Sequence, residues 1–509
     1  MCGIALIIGK NAKSKSEDMA NMISSISHRG EITEKFLEND LLVYVRRLKI
    51  IDRENAKQPV FNIDKSKCIV FNGEIFNHQL LRKELQEEYS FQTQSDTELV
   101  LAAYEKWGRN CLSHFIGQYS FAIVDIKKNT VIMARDEVGI VPLYYAKHED
   151  LLYIASEIKS LIFLNKTINT VPPGSFIDEN QIIHSFYKPL HEIKYSNSNL
   201  FIKKLRTTIC ESVKERVDTD LPIGIIYSGG LDSTIILNES LKYHSNVTAY
   251  TIGAENSEDF RISKQFCKEM KIKQVVIKLD KNSFKITDIE KAILVSELTE
   301  YGDIINAVIT MRLFKQIHQD GIKVVLCGDG SDELFGGYSM YSKADNEKYH
   351  KLFNYKLLNL NRTELQRVDR CSMAFSVETR VPFLDKRLLE MSVSIPSSWK
   401  IKDGIEKWCI RQAFKNDLPD YIINRKKNPL SHSSGLHEWV RIYKFRFGKI
   451  HKKFRYYLNE PLHKDFSFLL KENGYDVEKA IKEAKHLHDY TKKYLLTEYL
   501  KSKIHKIIG

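Results

Sequence analysis

The segment at residues 223–243 constrains the fold of this chain more than any other part of its sequence. An apolar run at 223–227 leads into Ser-Gly-Gly-Leu-Asp-Ser at 228–233, and a helical pattern continues to residue 243. This order predicts a buried strand, a tight turn and a helix. A second apolar run at 248–252 completes a strand-helix-strand unit, which is typical of a parallel sheet.

The turn at 228–233 has the features of an anion site. Its small residues let the backbone wrap a pyrophosphate, and the N–H groups of the following helix point toward it. A pair of glycines alone would more often be a simple tight turn with positive φ. The six-residue string is more specific than such a pair, and it lacks the lysine of a Walker motif, which disfavours kinase-type transfer.

This string resembles the signature of the ATP pyrophosphatases, which cleave ATP between the α- and β-phosphates to adenylate a substrate. A second acidic turn at 327–338 follows the apolar run 324–326, where an open parallel sheet binds ligands beyond its strand ends. Asp232 and Asp332 are expected to hold Mg²⁺ on the pyrophosphate, although both could instead cap helices. The resemblance implies that ATP is bound by Ser228, Gly229, Gly230, Leu231, Asp232, Ser233, Ile252, Cys327 and Gly328.

The first 187 residues have a different pattern of short β-rich runs separated by polar turns. Two helical patterns interrupt them, at 79–88 and 96–107, and Ser95 is a plausible N-cap for the second. We therefore expect a sandwich of sheets and helices here. The strand candidates lie at 4–8, 41–45, 68–71, 120–124, 130–134 and 152–155.

A cysteine at position 2 precedes the first of these strands. Removal of Met1 would leave its thiol beside a free α-amine, which can accept the thiol proton. With Arg47, the Asn-Gly-Glu string at 72–74 and Asp96, this cysteine resembles the class II glutamine amidotransferases, which hydrolyse glutamine to glutamate and ammonia. Read without that resemblance, Asn72-Gly73 would be a hairpin turn.

The amidotransferase resemblance assigns a role to each residue. A zwitterionic ligand needs one cation and paired anions, and a tetrahedral intermediate needs two hydrogen-bond donors. The roles implied are nucleophile for Cys2, oxyanion hole for the Asn72 side chain and the Gly73 N–H, α-carboxylate binding for Arg47, and α-ammonium binding for Glu74 and Asp96.

Together the two halves are similar to the glutamine-hydrolysing asparagine synthetases. The similarity implies an N-terminal nucleophile hydrolase-type αββα sandwich at 2–187, a linker at 188–200, and an α/β parallel-sheet ATP-pyrophosphatase domain at 201–509 with a helical, basic C-terminal region. It implies catalytic roles for Lys407, which would neutralise charge on the adenylating phosphate, and for Asp329. The implied ligands are glutamine, aspartate, ATP and Mg²⁺. A homodimer is compatible with it.

One segment departs from this family's pattern. Where many members have Glu-Thr-Tyr-Asp-x-Thr-Thr-x-Arg, this chain has Glu-Leu-Thr-Glu-Tyr-Gly-Asp-Ile-Ile-Asn at 297–306. The paired threonines and the arginine are missing, so a carboxylate other than aspartate, such as an envelope sugar acid or a secondary metabolite, is the alternative acceptor. Asp303 and Asn306 are candidate replacements for the lost polar contacts. Glu31-Ile32, in place of Pro-Asp after His28-Arg29-Gly30, is a second departure, expected to shape a loop of the glutamine site.

Composition limits the other function classes. The 77 Lys and Arg exceed the 65 Asp and Glu by 12, a charge that would suit an RNA-modifying enzyme, but no basic stripe with interleaved aromatics occurs. Nucleic-acid binding is therefore disfavoured, as is a non-catalytic regulatory role, since Cys2 and Lys407 are both present. The eight cysteines form no CxxC pair, and no run of about 18 apolar residues indicates a membrane span. Cytoplasmic residence is the default expectation.

Overall fold

The computed structural model describes residues 1–426 apart from 190, 281, 282, 284, 299, 300, 339, 340 and 342–345. The basic C-terminal region expected from the sequence has its densest run of lysines at 482–506, and this run lies outside the described residues. The first half contains the strands β1 (Gly3–Ile8), β2 (Ile32–Leu37), β3 (Leu41–Arg47), β4 (Val60–Phe61), β5 (Lys67–Ile75), β6 (Gly117–Asp125), β7 (Thr130–Arg135), β8 (Tyr144–His148), β9 (Leu151–Ala155), β10 (Asn169–Thr170), β11 (Ser175–Ile177) and β12 (Ile183–Ser185), with the helices α1 (Ser16–Ser25), α2 (His78–Leu85), α3 (Asp96–Trp107) and α4 (Cys111–His114).

These elements form four layers. Both faces of the strands are apolar, so each sheet packs on the other sheet with one face and on helices with its other face. In β1, Ile4, Leu6 and Ile8 pack between the two sheets, while Ala5 and Ile7 pack toward α1. The sheet orders are β10-β8-β9-β1-β3-β2 and β12-β11-β7-β6-β5-β4, and all their pairings are antiparallel. The predicted αββα sandwich is confirmed.

Helix α3 covers the outer face of the second sheet. The Ser95 hydroxyl accepts a hydrogen bond from the Glu98 N–H at 3.2 Å, as its position before the helical pattern predicted. Leu99 and its helical neighbours pack on Phe71 and other side chains of that sheet. The cap therefore fixes where α3 begins, next to the strand that carries residues 72–74.

The second half is built on a parallel sheet. Its elements are α5 (Ser198–Arg216), β13 (Ile223–Ile226), α6 (Leu231–Tyr243), β14 (Val247–Ala254), α7 (Glu258–Glu269), β15 (Gln274–Leu279), α8 (Ile286–Ser296), α9 (Tyr301–Gln319), β16 (Val324–Leu326), α10 (Ser331–Phe335), α11 (Asn346–Asn359), α12 (Glu364–Met373), β17 (Glu378–Arg380), α13 (Lys386–Val393), α14 (Ser397–Lys400), α15 (Trp408–Phe414) and α16 (Asp420–Ile423). The strand order is β15-β14-β13-β16-β17, and each neighbouring pair is parallel.

The structure corrects the expected starts of two helices and the expected type of one element. Helix α5 begins at Ser198 instead of residue 201, because the Asn197 side chain caps it by accepting hydrogen bonds from the N–H groups of Asn199 and Leu200. Helix α6 begins at Leu231, two residues before the expected start, since Gly230 occupies its N-cap. Strand β17 lies within the part of the sequence expected to be helical.

Buried charges and apolar side chains join the two halves. Met1, Leu48 and Ile50 belong to the same hydrophobic cluster as the core of the second half. Arg29, fully buried, binds both carboxylate oxygens of Asp369 at 2.8 and 2.9 Å. Its Nε also donates to the Cys2 carbonyl at 2.8 Å, so this interface reaches the N-terminal cysteine directly.

We expect Arg29→Ala to lower the free energy of unfolding by about 3 to 5 kcal/mol, because it removes the buried guanidinium that pairs with both Glu157 and Asp369 and leaves Asp369 with Arg370 alone. Arg53→Ala is the matched control, since its ion pair with Asp220 is exposed and we expect it to change stability by about 1 kcal/mol or less. Urea denaturation of both variants measures the difference. Equal destabilisation by the two substitutions would contradict the structural role of Arg29.

Candidate active sites

The Cys2 thiol lies in a small cavity between the two halves. Cys2 is 8% exposed, and the Gln58 side-chain nitrogen lies 3.9 Å from the Cys2 Sγ. Burial raises the pKa of the Cys2 thiol, while the positive charges of the Met1 α-ammonium and of Arg47 lower it. A thiol in this environment needs a nearby base to become a nucleophile. Met1 is present, and its ammonium pairs with Glu378 of β17.

Asn72 and Gly73 lie beside Cys2 within strand β5. They pair with Ser120 and Tyr119 of β6, so the alternative interpretation as a hairpin turn is wrong. The Asn72 Oδ1 accepts from the Cys2 N–H at 2.6 Å, and its buried Nδ2 has no hydrogen-bond partner among the described residues. Asn72 is not part of the cavity lining, but this unpaired donor belongs to the side chain that binds the Cys2 backbone, which suits a developing oxyanion at Cys2.

Glycine is required at position 73. Its φ is +148°, and a Cβ there would lie 2.1 Å from the Gln118 carbonyl oxygen. Any other side chain would therefore force β5 away from β6 at the point where Asn72 faces Cys2.

Three charged side chains surround the same cavity. Arg47 is held by the Asp52 carbonyl at 2.8 Å and by the Glu34 carboxylate at 3.3 Å. Glu74 lies 3.4 Å from Arg380 of the second half, and Asp96 accepts from the Ile75 N–H. The cavity is lined by Met1, Cys2, Arg47, Leu48, Ile50, Ile51, Ala56, Gln58, Phe71, Gly73, Glu74, Ser95, Asp96, Thr97 and Glu378. The structure therefore brings Arg47, Glu74 and Asp96 together around Cys2, and it adds the Met1 ammonium and its partner Glu378 to the same lining.

The two carboxylates make the pH dependence of glutamine use predictable. Burial raises the pKa of Asp96 to about 6 and that of Glu74 well above its usual value, with nearby Glu378 adding to both shifts. A carboxyl is neutral below its pKa and then no longer attracts an ammonium. We therefore expect kcat/KM for glutamine to fall as the pH decreases through about 6. The midpoint of this fall reflects the joint titration of Glu74 and Asp96 and is not the pKa of either carboxyl alone.

A glutaminase assay between about pH 5 and pH 8 tests this expectation. Asp96→Asn should lower kcat/KM throughout and weaken its dependence on pH. Equal kcat/KM for the wild-type protein at both ends of that range would show that these carboxylates do not bind the substrate ammonium.

The second candidate site lies at the carboxyl ends of the parallel strands. Between β13 and α6, Gly229 has a φ of +69°, and a Cβ there would lie 2.9 Å from the Ser263 nitrogen. The Ser233 hydroxyl accepts from the Ser228 N–H at 3.3 Å and donates to the Gly230 carbonyl at 3.2 Å. These contacts fix a tight loop at the N-terminus of α6, which suits an anionic ligand.

Lys407 joins the two acidic turns of this site. Its ammonium lies 2.5 Å from Asp232 and 2.6 Å from Asp332, and it is 2% exposed. Neither carboxylate caps a helix, since α6 and α10 begin after Gly230 and Gly330. Lys407 also has a φ of +54°, an unusual conformation for a lysine that tends to occur at functional sites. The alternative interpretations as helix caps and as a surface lysine are both wrong.

The same two carboxylates fit a Mg²⁺ site. Because both contact one ammonium, their oxygens lie close enough together to share a cation. The described residues contain no group of three or more metal-ligating side chains. Two carboxylates completed by substrate phosphates and water are what Mg²⁺ usually takes. Gly337 leaves room for this cluster, since a Cβ there would lie 1.8 Å from the Asp332 Oδ1.

A cleft of about 410 Å³ brings most of the predicted nucleotide residues together. Two predicted residues, Gly229 and Cys327, do not line the cleft. Gly229 shapes the loop beside it, and the Cys327 side chain is buried. Sequence reasoning missed several residues that line it, among them Arg367, whose only signal was a charge in a helical pattern. The predicted residues in the lining are Ser228, Gly230, Leu231, Asp232, Ser233, Ile252, Gly328, Asp329, Asp332, Lys407, Asp303 and Asn306.

Comparisons with known proteins agree with this two-site arrangement. A glutamine amidotransferase domain model matches residues 1–208, and an asparagine synthase model matches residues 204–354 and 342–453. Asparagine synthetase B (glutamine-hydrolysing) of Escherichia coli K12 is 32% identical over 439 residues, which make up 81% of this chain and 78% of that protein.

Two further relatives come from a plant and an archaeon. Glutamine-hydrolysing asparagine synthetase 2 of Arabidopsis thaliana is 30% identical over 469 residues, 86% of this chain and 80% of that protein. Putative glutamine-hydrolysing asparagine synthetase 1 of Methanocaldococcus jannaschii is 29% identical over 539 residues, 90% of this chain and 98% of that protein. With both halves matched over most of their length, the chain belongs to the family of glutamine-hydrolysing asparagine synthetases.

Proposed function

We propose that this protein makes asparagine from aspartate, using ATP and the amide nitrogen of glutamine. The observation that carries the proposal is the Lys407 cluster at the Ser-Gly-Gly-Leu-Asp-Ser turn, in the same chain as the Cys2 cavity. One site suits release of ammonia from an amide, and the other suits attack of a carboxylate on a phosphate. The buried interface between them supports a single combined reaction.

At the first site, Cys2 is the nucleophile. Its buried thiol has a raised pKa, so it requires a base, and removal of Met1 would provide the Cys2 α-amine for this purpose. Sγ attacks the glutamine side-chain amide while the Asn72 Nδ2 donates to the developing oxyanion. Collapse of the tetrahedral species expels ammonia and leaves a thioester, which water hydrolyses to glutamate.

At the second site, the aspartate side-chain carboxylate attacks the α-phosphate of ATP, which releases pyrophosphate and forms an acyl-adenylate. Lys407 neutralises charge that develops on the phosphates during this attack. Asp232 and Asp332 would hold Mg²⁺, which supplies further charge neutralisation for the departing pyrophosphate. Ammonia then attacks the activated carbonyl and displaces AMP.

A different carboxylate acceptor is the second candidate, because the segment at 297–306 lacks the family's threonines and arginine. Asp303 and Asn306 of this segment line the cleft. Pyrophosphate release from ATP and Mg²⁺ with glutamine, measured over a panel of carboxylates with mass identification of the amide, separates the two. Aspartate-dependent release with asparagine formed supports the proposal. Release only with another acid would replace aspartate as the acceptor.

Among the described residues, no helix combines the length and the apolar character needed to cross a bilayer.

A further inference from the structure

A buried arginine of the second half extends to a carboxylate of the Cys2 cavity. Arg380 lies on β17 and is 1% exposed, and its Nη2 lies 3.4 Å from the carboxylate of Glu74, which lines that cavity. The two residues are far apart in sequence, so no local pattern indicates their contact. The second half therefore contributes a positive charge to a site whose expected ammonium-binding residues, Glu74 and Asp96, belong to the first half.

Several contacts fix the Arg380 guanidinium without help from Glu74. Its Nε donates to the Glu378 carboxylate at 2.9 Å, and its Nη1 donates to the Arg216 carbonyl at 2.8 Å. Its Cζ lies over the Phe76 ring, 5.6 Å from the ring centre. The backbone is held as well, because the Arg380 carbonyl accepts from the N–H of residue 327 at 3.1 Å. The position of this charge is therefore set by the second half.

The Arg380 Nη2 approaches Glu74 without forming a hydrogen bond to it. This nitrogen is buried and has no hydrogen-bond partner among the described residues. Within the same part of the chain, no group donates a hydrogen bond to the Glu74 carboxylate, and the two side chains form an ion pair only. Arg380 can therefore keep Glu74 charged and leave its oxygens available to accept from a substrate ammonium.

Glu74 needs such a cation because its surroundings oppose its charge. Burial raises the pKa of Glu74, and the negative charges of Asp96 on α3 and of Glu378 on β17 raise it further. Arg380 and the N-terminal ammonium act in the opposite direction, and Arg380 has the larger effect. Although burial opposes its own charge, Glu74 and Glu378 raise the pKa of Arg380, which therefore remains a cation. Without Arg380, Glu74 would become neutral at a higher pH.

We propose that Arg380 is a positioning residue of the glutamine site, which keeps Glu74 anionic and free to bind the α-ammonium of glutamine. The first half then selects amides that have an α-amino group only while β17 is packed against it. This inference rests on the proposed function, and it assigns to the second half a part in glutamine selection.

The test compares hydrolysis of glutamine with hydrolysis of glutaramate, which is glutamine without its α-amino group, over a range of pH. The ratio of the two kcat/KM values isolates the ammonium contact, since a base at Cys2 acts on both substrates. We expect Arg380→Gln to raise the pH midpoint of this ratio by about one pH unit or more, because an adjacent cation lowers a carboxyl pKa by about 1 to 3. Arg380→Lys retains the charge and should stay within about 0.5 pH unit of the wild type.

Arg216→Gln is the matched control. Arg216 is also 1% exposed and lies over the Phe76 ring, 4.1 Å from its centre. Its carboxylate partner is Asp385, which keeps Arg387 as a second partner when Arg216 is replaced. This variant should therefore show the wild-type midpoint. Pyrophosphate release with ammonia as nitrogen source shows in each variant that the second half is folded.

Glu378→Gln is a second variant for the case in which Arg380→Gln does not fold. It removes the competing carboxylate and leaves Glu74 as the acidic partner of Arg380, so the midpoint of the ratio should move to lower pH. An unmoved midpoint in Glu378→Gln would overturn the inference. The same midpoint in folded Arg380→Gln as in Arg216→Gln would also overturn it, as would an equal rise in Arg380→Lys. If the wild-type protein hydrolyses no glutamine, the proposed function itself is wrong.

Discussion

Cys2→Ala should abolish glutamine-dependent amide formation and leave ammonia-dependent formation intact. We expect the glutamine-dependent rate to fall by at least about 1,000-fold, the scale on which loss of a covalent nucleophile acts. The ammonia-dependent rate should stay within about twofold of the wild type, because the contacts of Lys407, Asp232 and Asp332 do not involve Cys2. Both rates come from the amide product formed with either nitrogen source.

Cys210→Ala is the matched control for this experiment. Cys210 lies half-buried on α5, outside the lining of the Cys2 cavity and of the cleft, so its loss should change neither rate. Loss of both activities in a folded Cys2→Ala protein would contradict the separation of the two sites. Retention of glutamine use would show that another group is the nucleophile.

Lys407→Ala should have the opposite effect and abolish pyrophosphate release. Its ammonium lies between two carboxylates, so its removal leaves two buried negative charges facing each other and the incoming phosphates. Removing one such preorganised group typically lowers kcat by about 100- to 1,000-fold, and repulsion between the remaining acids should add to the loss. Glutamine hydrolysis at Cys2 should continue.

Lys402→Ala is the control for Lys407. Lys402 is exposed and lies over the Trp408 ring, 4.7 Å from its centre, so it tests a nearby lysine without a role in the cleft. Asp232→Asn should also block pyrophosphate release if Asp232 holds Mg²⁺. Normal release by Asp232→Asn, with unchanged dependence on Mg²⁺, would contradict the proposed metal role.

The local structure around both sites could be predicted from sequence because short-range signals determine it. The apolar run before the glycines at 229 and 230 predicted strand, turn and helix, and Ser95 predicted the start of α3. The start of α6 was misplaced by two residues, because Asp232 and Ser233 look like cap residues while the backbone actually turns at Gly230. Helix boundaries follow from loop geometry that residue types alone do not show.

The contacts between distant parts of the chain could not be predicted in this way. Arg29 and Asp369 are 340 residues apart in sequence, and nothing local to either indicates the other. Arg367 has the same limitation, since a charge within a helical pattern usually lies on a solvated surface. Strand β17 was missed because three residues are too few for a periodic signal. Parallel pairing with β16 stabilises it as a strand.

The most direct test of the account follows the nitrogen atom through both sites. The protein is given ATP, Mg²⁺, aspartate and glutamine labelled with ¹⁵N in its side-chain amide, and the products are identified by mass. We expect ¹⁵N-labelled asparagine, with glutamate and pyrophosphate each formed in amounts equal to asparagine. Pyrophosphate release without aspartate, or asparagine without the label, would contradict the claim that the two sites perform one reaction.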